Sequence, residues 1–313
     1  MSGLRAWVLH DDAADLHATW VPEAGMLGAA LVHGGENLFW TGAGASQYAS
    51  ARAFMGVPFL HPWANRLERF GYRAGGRDVV LDPQSPLLLL DDNGLPIHGV
   101  LNASRRWSVR ESRATDSVAR LVAVLEFDDH DLLGTFPFPH RIEMEVGVGG
   151  GALRVAITLT ATGDESVPVA FGFHPYLRLP DIPRAEWEVM FPVSRRVLLD
   201  DRMLPTGAAE PVDSIAGPIG ERTWDDCFDG LNSPARFEVS GGDRRLQVDF
   251  DQGYRVAQIF APSGEEYVCI EPMTAPVNSL VGPDDGLTWV RPGHQYSASF
   301  RISCHRRPAE HRS

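Results

Sequence analysis

The chain has 313 residues, of which 44% are hydrophobic, enough apolar side chain to bury a large core. Its formal net charge of -13 at pH 7 disfavours nucleic-acid binding, because proteins that bind phosphate backbones need clustered basic residues. All 28 basic residues are arginine, which excludes the Schiff-base and P-loop chemistry that depends on lysine.

The N-terminal region and the cysteines predict a cytoplasmic protein. Aspartates at positions 11, 12 and 15 interrupt the apolar run that a signal peptide needs. No stretch reaches the ~18 consecutive apolar residues of a membrane span, so we expect no membrane partner. The three cysteines are too few and too scattered for a disulfide framework or a zinc site, and we expect them to be free thiols.

Alternation of apolar and polar residues predicts an all-β fold. The alternating segments are residues 121–127, 153–160, 167–173, 237–239, 246–250, 254–260, 267–270 and 296–302. Clusters rich in Gly, Pro, Asn and Asp separate them, as in a large antiparallel β-sandwich. Helical periodicity is weak and limited to residues 25–31 and 45–53. We expect one domain over residues 1–304 and a disordered polar tail over residues 305–313.

The first candidate segment for binding is residues 58–71, which is dense in aromatic, Asn and Arg side chains. Asn65 and Arg66 offer donors for the hydroxyl or ring oxygens of a polar ligand. Alternatively, Arg66, Glu68 and Arg69 form an exposed salt-bridged turn.

His98 is the next candidate. It follows a turn signal and precedes Gly99, which allows another backbone or a ligand to approach closely. We therefore consider it a second candidate imidazole.

His174 follows a predicted strand over residues 167–173. In such a strand Ala170 and Gly172 share the face of His174, and these small residues predict an open floor for a ligand. Pro175 has no N–H to donate, so we expect the strand to end there.

Glu271 follows the same pattern. Tyr267 and Cys269 share its face of a strand, and Pro272 is expected to end the ladder. A carboxylate and an imidazole at strand ends make a plausible general base and general acid. Taken alone, either residue also fits an ordinary surface or capping role.

Asp225 and Asp226 place carboxylates beside Trp224, a combination found where sugar hydroxyls are held and also in plain turns. A metal site would have to use residues such as His61, His98 and His174, but none shows metal-binding spacing. No dinucleotide-binding loop is present either, so we expect neither a metal nor a cofactor.

Several of these motifs occur in one order along the chain. They are Asn65-Arg66 with Gly71-Tyr72, His98-Gly99, Phe171-x-x-His174-x-Tyr176, Trp224-Asp225-x-x-Phe228 and Glu271-Pro272. In this order the chain resembles the aldose 1-epimerase (galactose mutarotase) family. The resemblance implies a galactose mutarotase-like supersandwich that interconverts the α and β anomers of a free sugar without a cofactor.

The resemblance also implies residue roles. Glu271 matches the general base that acts on the anomeric hydroxyl, and His174 matches the general acid that protonates the ring oxygen. The residues expected to bind the sugar are Asn65, Arg66, His98 and Asp225. Among aromatic residues that could stack on the sugar are Trp63, Tyr176 and Trp224.

The sequence departs from the usual family pattern after His174, where it reads Pro175-Tyr176-Leu177-Arg178, and at Val100. Arg178 favours an acidic or phosphorylated sugar, or faces solvent in a salt bridge. A hexose-phosphate 1-epimerase and a non-catalytic carbohydrate-binding protein are therefore alternatives. A glycoside hydrolase would need Glu271 with Asp225 or Asp226 and leaves His174 unexplained. We expect a monomer or a homodimer.

Overall fold

The computed structural model describes residues 3–115, 118–282 and 286–306. The strands of the first half are β1 (Trp7–Asp11), β2 (Leu16–Val21), β3 (Leu27–His33), β4 (Glu36–Asn37), β5 (Phe59–Leu60), β6 (Gly71–Ala74), β7 (Arg77–Val80), β8 (Leu89–Leu90), β9 (Pro96–Ile97), β10 (Ser108–Ala114), β11 (Val118–Phe127), β12 (His140–Gly149) and β13 (Ala152–Ala161).

The second half adds β14 (Val167–Val169), β15 (Gly172–Phe173), β16 (Tyr176–Leu177), β17 (Glu188–Phe191), β18 (Arg195–Leu199), β19 (Pro205–Pro211), β20 (Ile215–Pro218), β21 (Trp224–Phe228), β22 (Ala235–Gly241), β23 (Arg244–Gln252), β24 (Val256–Ala261), β25 (Val268–Met273), β26 (Thr288–Val290) and β27 (Gln295–Arg306). The α-helices are α1 (Ala45–Ala51) and α2 (His130–Leu133), and single 3-10 turns cover Asp12–Ala14, Pro22–Ala24 and Arg184–Glu186.

Two large antiparallel sheets form the body of the molecule as far as the structure describes it. One has nine strands in the order β10-β11-β12-β13-β27-β23-β22-β17-β20. The other has eight, in the order β19-β18-β21-β24-β25-β15-β5, with β16 also paired to β25. A four-stranded sheet, β1-β2-β3-β4, and three two-stranded ribbons complete the described strands.

The hydrophobic core lies between the two large sheets. Phe173 of the eight-stranded sheet packs against Phe300 of the nine-stranded sheet, with ring centroids 5.1 Å apart. Val268 and Ile270 of β25 point into the same core. Because successive side chains of a strand alternate between faces, the intervening residues of β25 lie on the outer face of its sheet. The predicted all-β antiparallel sandwich is confirmed.

Two local predictions need correction. Residues 25–31 are not helical, since β3 begins at Leu27 and pairs with β2, so strand pairing prevails over a weak helical pattern. Residues 167–173 are not one strand but two, β14 and β15, which pair with different partners. The helix predicted near residues 45–53 is present as α1.

The last strand extends two residues beyond the predicted domain end. His305 and Arg306 belong to β27 and pair with Arg245 and Arg244 of β23. Residues 307–313 of the predicted tail lie outside the described residues. The three cysteines are buried and free, as predicted. Within the described ranges, no helix has the length and apolar character needed to cross a membrane.

Candidate active site

A cavity of about 210 Å³ lies on the outer face of the eight-stranded sheet. It is lined by Asn65, Arg66, Ile97, His98, His174, Tyr176, Asp225, Phe260 and Glu271. The structure therefore brings together the two predicted catalytic residues and the four residues predicted to bind the sugar through polar groups. Residues separated by more than 200 positions meet here because β5, which precedes Asn65 and Arg66, pairs with β15, and β15 pairs with β25, which carries Glu271.

Glu271 lies inside β25 and not at its end, contrary to the prediction. The strand continues through Pro272 to Met273. It pairs with β16 at Cys269 and with β15 at Met273. The gap between those two pairings accommodates a residue that has no N–H to donate, so Pro272 does not end the strand.

His174 lies directly after β15, where the prediction placed it. Its Nε2 is 3.2 Å from Oε1 of Glu271, and both side chains are buried. The ring of Tyr176 stacks on the imidazole with centroids 4.5 Å apart and planes inclined by 10°. The imidazole is thus fixed in orientation against the carboxyl group.

The open floor predicted beside His174 is absent. A Cβ atom on Gly172 would lie 2.8 Å from the Pro272 carbonyl oxygen and 3.0 Å from Cβ of Ala64. Ala170 is buried and its backbone pairs with Trp63. These small residues make room for neighbouring protein atoms, and the cavity lies instead above Glu271.

Burial disfavours the charged forms of both Glu271 and His174. Burial raises the pKa of Glu271 well above its ordinary value; the nearby carboxylate of Asp225 raises it further, while Arg66 partly offsets the shift. Burial lowers the pKa of His174 to about 3. Burial thus favours the uncharged forms of both groups, and transfer of a proton from the Glu271 carboxyl to His174 across the 3.2 Å gap converts the neutral pair into an ion pair.

Arg66 is held in place by two neighbours. Its Nε donates to Oδ2 of Asp91 at 2.6 Å, and its Nη1 donates to Oδ1 of Asn65 at 3.1 Å. Burial alone would raise the pKa of Asp91, but hydrogen bonds from Leu95, Arg66 and Asn93 outweigh it and lower the pKa. Asp91 thus stays ionised and fixes the guanidinium. The exposed-turn alternative holds only for Glu68 and Arg69, whose ion pair is 2.9 Å long.

His98 is a neutral hydrogen-bond donor in this geometry. Its Nδ1 accepts the backbone N–H of Asn65 at 3.3 Å, which leaves the proton on Nε2. Burial lowers the pKa of His98 well below its ordinary value, and His174 and Arg66 lower it further. His98 and Asn65 both have left-handed φ angles, 61° and 58°, and the His98 N–H donates to the Asn65 carbonyl at 2.9 Å.

Asp225 lines the cavity, whereas Asp226 does not. Oδ1 of Asp225 accepts a hydrogen bond of 2.6 Å from Nε2 of Gln258, which faces Glu271 across the β24–β25 ladder. Burial raises the pKa of Asp225, although Arg66 and Gln258 oppose the shift. Asp226 instead faces Arg196, at 3.4 Å.

Of the three aromatic residues predicted to stack on a sugar, only Tyr176 lines the cavity. Trp63 is buried in the core, and Trp224 lies beneath the guanidinium of Arg222 at 5.1 Å. Sequence reasoning missed Phe54, which contacts the rings of His98 and His174 at 5.1 and 5.8 Å.

Gln258 and Asp91 were also missed. Asp91 is recognisable as part of a turn, but no spacing links it to Arg66, 25 residues earlier. The buried amide of Gln258 would have been found by pairing its strand correctly with that of Glu271. Among the described residues, no group of three or more His, Cys, Asp or Glu side chains is placed to hold a metal ion.

Arg178 lies outside this cavity. It lines a neighbouring one with Trp40, and in the part of the chain that the structure describes it has no carboxylate partner. The predicted solvent-facing salt bridge is therefore not observed there.

Comparison with known proteins identifies relatives of the whole chain. A family model described as aldose 1-epimerase matches residues 24–303. No curated protein matches the chain. The Slr1438 protein from Synechocystis sp. PCC 6803 has a similar structure, with a TM-score of 0.81, 22% identity and coverage of 98% of this chain and 97% of its own.

Two further solved structures are similar over nearly the whole chain. A galactose mutarotase-like protein from Clostridium acetobutylicum has a TM-score of 0.79 at 17% identity and covers 94% of each chain. Galactose 1-epimerase from Lactobacillus acidophilus NCFM has a TM-score of 0.76 at 14% identity and covers 97% of this chain and 99% of its own. At these identities the similarity shows the fold.

Proposed function

Since the chain belongs to the aldose 1-epimerase family, we propose that it interconverts the α and β anomers of a free aldose by acid–base opening and closure of the ring. The observation that carries this proposal is the 3.2 Å separation of His174 Nε2 and Glu271 Oε1 at a buried cavity. The two sugar oxygens that must exchange protons are bonded to one carbon. An acid and a base that serve them must therefore converge, as these two groups do.

In the proposed reaction Glu271 takes the proton of the anomeric hydroxyl while His174 donates a proton to the ring oxygen. The bond between the anomeric carbon and the ring oxygen breaks, and the anomeric C–O bond becomes a carbonyl. Rotation about the next carbon–carbon bond presents the other face. The chain hydroxyl then attacks the carbonyl carbon and returns its proton to His174, and Glu271 returns its proton to the new anomeric oxygen.

The remaining polar groups have positioning roles in this proposal. The Nε2–H of His98 and the guanidinium of Arg66 donate to the ring oxygen and neighbouring hydroxyls, and the amide of Asn65 adds a donor. Asp225, held by Gln258, accepts from sugar hydroxyls. A positioned acid or base contributes about 10²- to 10⁴-fold, which suits a reaction that already proceeds slowly in water.

The alternatives have less support. Among the lining residues of this cavity, Arg66 is the guanidinium present and it is ion-paired with Asp91, so a phosphate would lack an unpaired cation there. A non-catalytic sugar-binding protein would have no use for a buried acid–base pair. The buried free thiols fit a reducing compartment, and we also propose a cytoplasmic location.

Anomer exchange of fresh α-glucose, α-galactose and other aldoses, followed by NMR, tests the function. We expect the wild type to accelerate at least one sugar and Glu271→Gln and His174→Asn each to lower kcat about 10²-fold or more. Exposed Glu186 and His10 provide control variants, Glu186→Gln and His10→Asn, that should retain full activity.

If the wild type accelerates no aldose, the proposal is wrong. Cleavage of a glycoside that persists in His174→Asn would instead establish a hydrolase.

A further inference from the structure

Two histidines form a buried pair that does not line the catalytic cavity. Nε2 of His61 lies 2.8 Å from Nε2 of His140, the distance of a hydrogen bond, and both side chains are buried. His140 begins β12 of the nine-stranded sheet. His61 lies in the segment 58–71, four residues before Asn65. The pair therefore connects one large sheet to the segment that carries Asn65 and Arg66.

The direction of this hydrogen bond follows from a second one. Nδ1 of His140 is 2.6 Å from the Phe138 carbonyl oxygen, which can only accept, so this nitrogen carries the proton. Burial lowers the pKa of His140 to about 4, and it lowers the pKa of His61 well below its ordinary value, so both rings are neutral at neutral pH. Nε2 of His140 is thus the acceptor, and Nε2 of His61 donates to it.

Phenylalanine rings surround the pair. Phe59 stacks on His61 with centroids 5.5 Å apart, and Phe127 stacks on His140 at 4.5 Å. Phe136 lies edge-on to both imidazoles. Within the described ranges, Nδ1 of His61 has no hydrogen-bond partner. Rotation of the His61 ring would therefore break its bond to His140 and leave buried polar atoms unsatisfied.

The backbone of His61 holds the loop that carries His98. The His61 carbonyl accepts the N–H groups of Val100 and Leu101 at 2.8 and 3.2 Å, and the backbones of His61 and Gly99 form a parallel bridge. Because the ring and the carbonyl belong to one residue, the bond to β12 fixes this loop relative to the nine-stranded sheet.

A hydrogen bond restricts position more than apolar packing does. Dispersion contacts have no preferred direction, whereas a hydrogen bond weakens steeply when its angle changes. Two apolar side chains of similar size would fill the same space without burying polar atoms. Such precision matters at an active site, since a displacement of about 1 Å can lower the rate about 10²-fold.

We propose that the hydrogen bond between His61 and His140 positions the sugar-binding groups of the active site by fixing the loop of His98. Asn65 and Arg66, on the same segment as His61, are positioned with it. Both histidines are positioning residues, because neither lines the cavity. This inference rests on the proposed epimerase function and adds two residues to it.

Anomer exchange of the best aldose is measured for the wild type, His61→Leu and His61→Gln. Leucine is similar in size but cannot donate, so we expect KM to rise about tenfold. The fall in kcat should stay below about threefold, because the pairing of β15 with β25 holds the acid–base pair separately. The glutamine amide replaces Nε2 as a donor and should keep KM within about threefold of the wild type.

Leu246→Ala is the control for loss of stability. Leu246 is buried in β23, which pairs with β22 and β27. The cavity left by this change should lower the denaturation midpoint and leave KM unchanged. If His61→Leu does not fold, as judged by circular dichroism, His61→Asn replaces it, since the asparagine amide is too short to reach the position of Nε2.

Amide hydrogen exchange reports on the loop without a sugar. We expect His61→Leu to accelerate exchange of the Val100 and Leu101 amides about tenfold or more, because both donate to the His61 carbonyl. Leu246→Ala should instead accelerate exchange at Val155 in β13 and leave the two loop amides within about threefold of the wild type.

An unchanged KM in His61→Leu would overturn the inference while leaving the epimerase function intact. So would an equal rise in KM in Leu246→Ala, or a rise in His61→Leu that His61→Gln shares in full. If the wild type accelerates no aldose, the epimerase function fails, and amide exchange decides separately whether the pair holds the loop. Wild-type exchange of Val100 and Leu101 in His61→Leu would show that it does not.

Discussion

Glu271 and His174 are buried, and burial shifts their pKa values in opposite directions. A carboxyl group with a raised pKa and an imidazole with a lowered pKa keep one proton between them over a wide pH range. The pair gains a second proton only at strongly acidic pH and loses its proton only above the raised pKa of Glu271. These residues therefore titrate as a unit.

The dependence of kcat/KM on pH should report this unit. We expect kcat/KM to stay level through neutral pH, to fall at alkaline pH as the pair loses its proton, and to fall at acidic pH only toward pH 3. A glutamate and a histidine with unshifted pKa values of 4.5 and 6.5 would instead give a maximum of kcat/KM between those two pH values and a decline above it. A profile of that second shape would contradict the account.

Glu271 should also lower the free energy of unfolding at neutral pH. Because its folded-state pKa is raised, the stability it contributes is complete below the unfolded pKa, near 4.5, and is lost as pH rises toward the folded value. Glutamine cannot ionise, so Glu271→Gln should melt at a higher temperature than the wild type at pH 8 and at a similar one at pH 4. For a chain of 313 residues, each kcal/mol of relieved penalty raises the melting temperature by about 1.5 °C.

Differential scanning calorimetry of both proteins at the two pH values measures this effect. Exposed Glu186 is the control, since Glu186→Gln should leave the melting temperature unchanged. If Glu271→Gln melts at or below the wild-type temperature at pH 8, Glu271 does not destabilise the protein at that pH.

At the scale of the elements, the loop that carries His98 is held by a close backbone contact. A Cβ on Gly99 would lie 2.1 Å from the His61 carbonyl oxygen, and Gly99 has a φ of 70°. That carbonyl also accepts the N–H groups of Val100 and Leu101. The close approach expected from the sequence at Gly99 is confirmed, and the approaching group is the backbone of His61 in the segment 58–71.

Gly99→Ala should therefore displace His98 as well as strain the loop. We expect a loss of about 3 kcal/mol in the free energy of unfolding and a rise in KM larger than the fall in kcat. Gly264, which has a similar φ but no neighbour within 4 Å, supplies the control Gly264→Ala. Denaturation and steady-state kinetics measure both variants, and equal effects at the two glycines would show that the contact with His61 has no special importance.

The predictions made for the strands were correct where they depended on one strand alone. The alternation of Val268 and Ile270 with Cys269 and Glu271 is correct, because side-chain direction follows from the backbone of the strand itself. Whether Pro272 ends the strand depends on the neighbouring strands, and the interruption between β15 and β16 is not visible in local sequence. The prediction of an open floor at Gly172 was wrong for the same reason, because atoms of neighbouring segments occupy that space.

At the scale of the whole molecule, the sandwich and the polar residues that line the cavity were predictable from the sequence. The order of the motifs along the chain carried that information, since each of the five contributes at least one residue to the lining of the cavity. The contacts that support the site were not accessible. Asp91 and Gln258 act through pairings between segments that only the folded structure brings together.

The most direct test of the central claim is a double-mutant cycle on the acid–base pair, measured as the NMR exchange rate between the anomers of the best aldose. If Glu271 and His174 act as one unit, Glu271→Gln combined with His174→Asn should be about as slow as either single variant, since losing one partner disables the other. Losses that multiply in the double variant, or a single variant that keeps nearly full activity, would contradict the account.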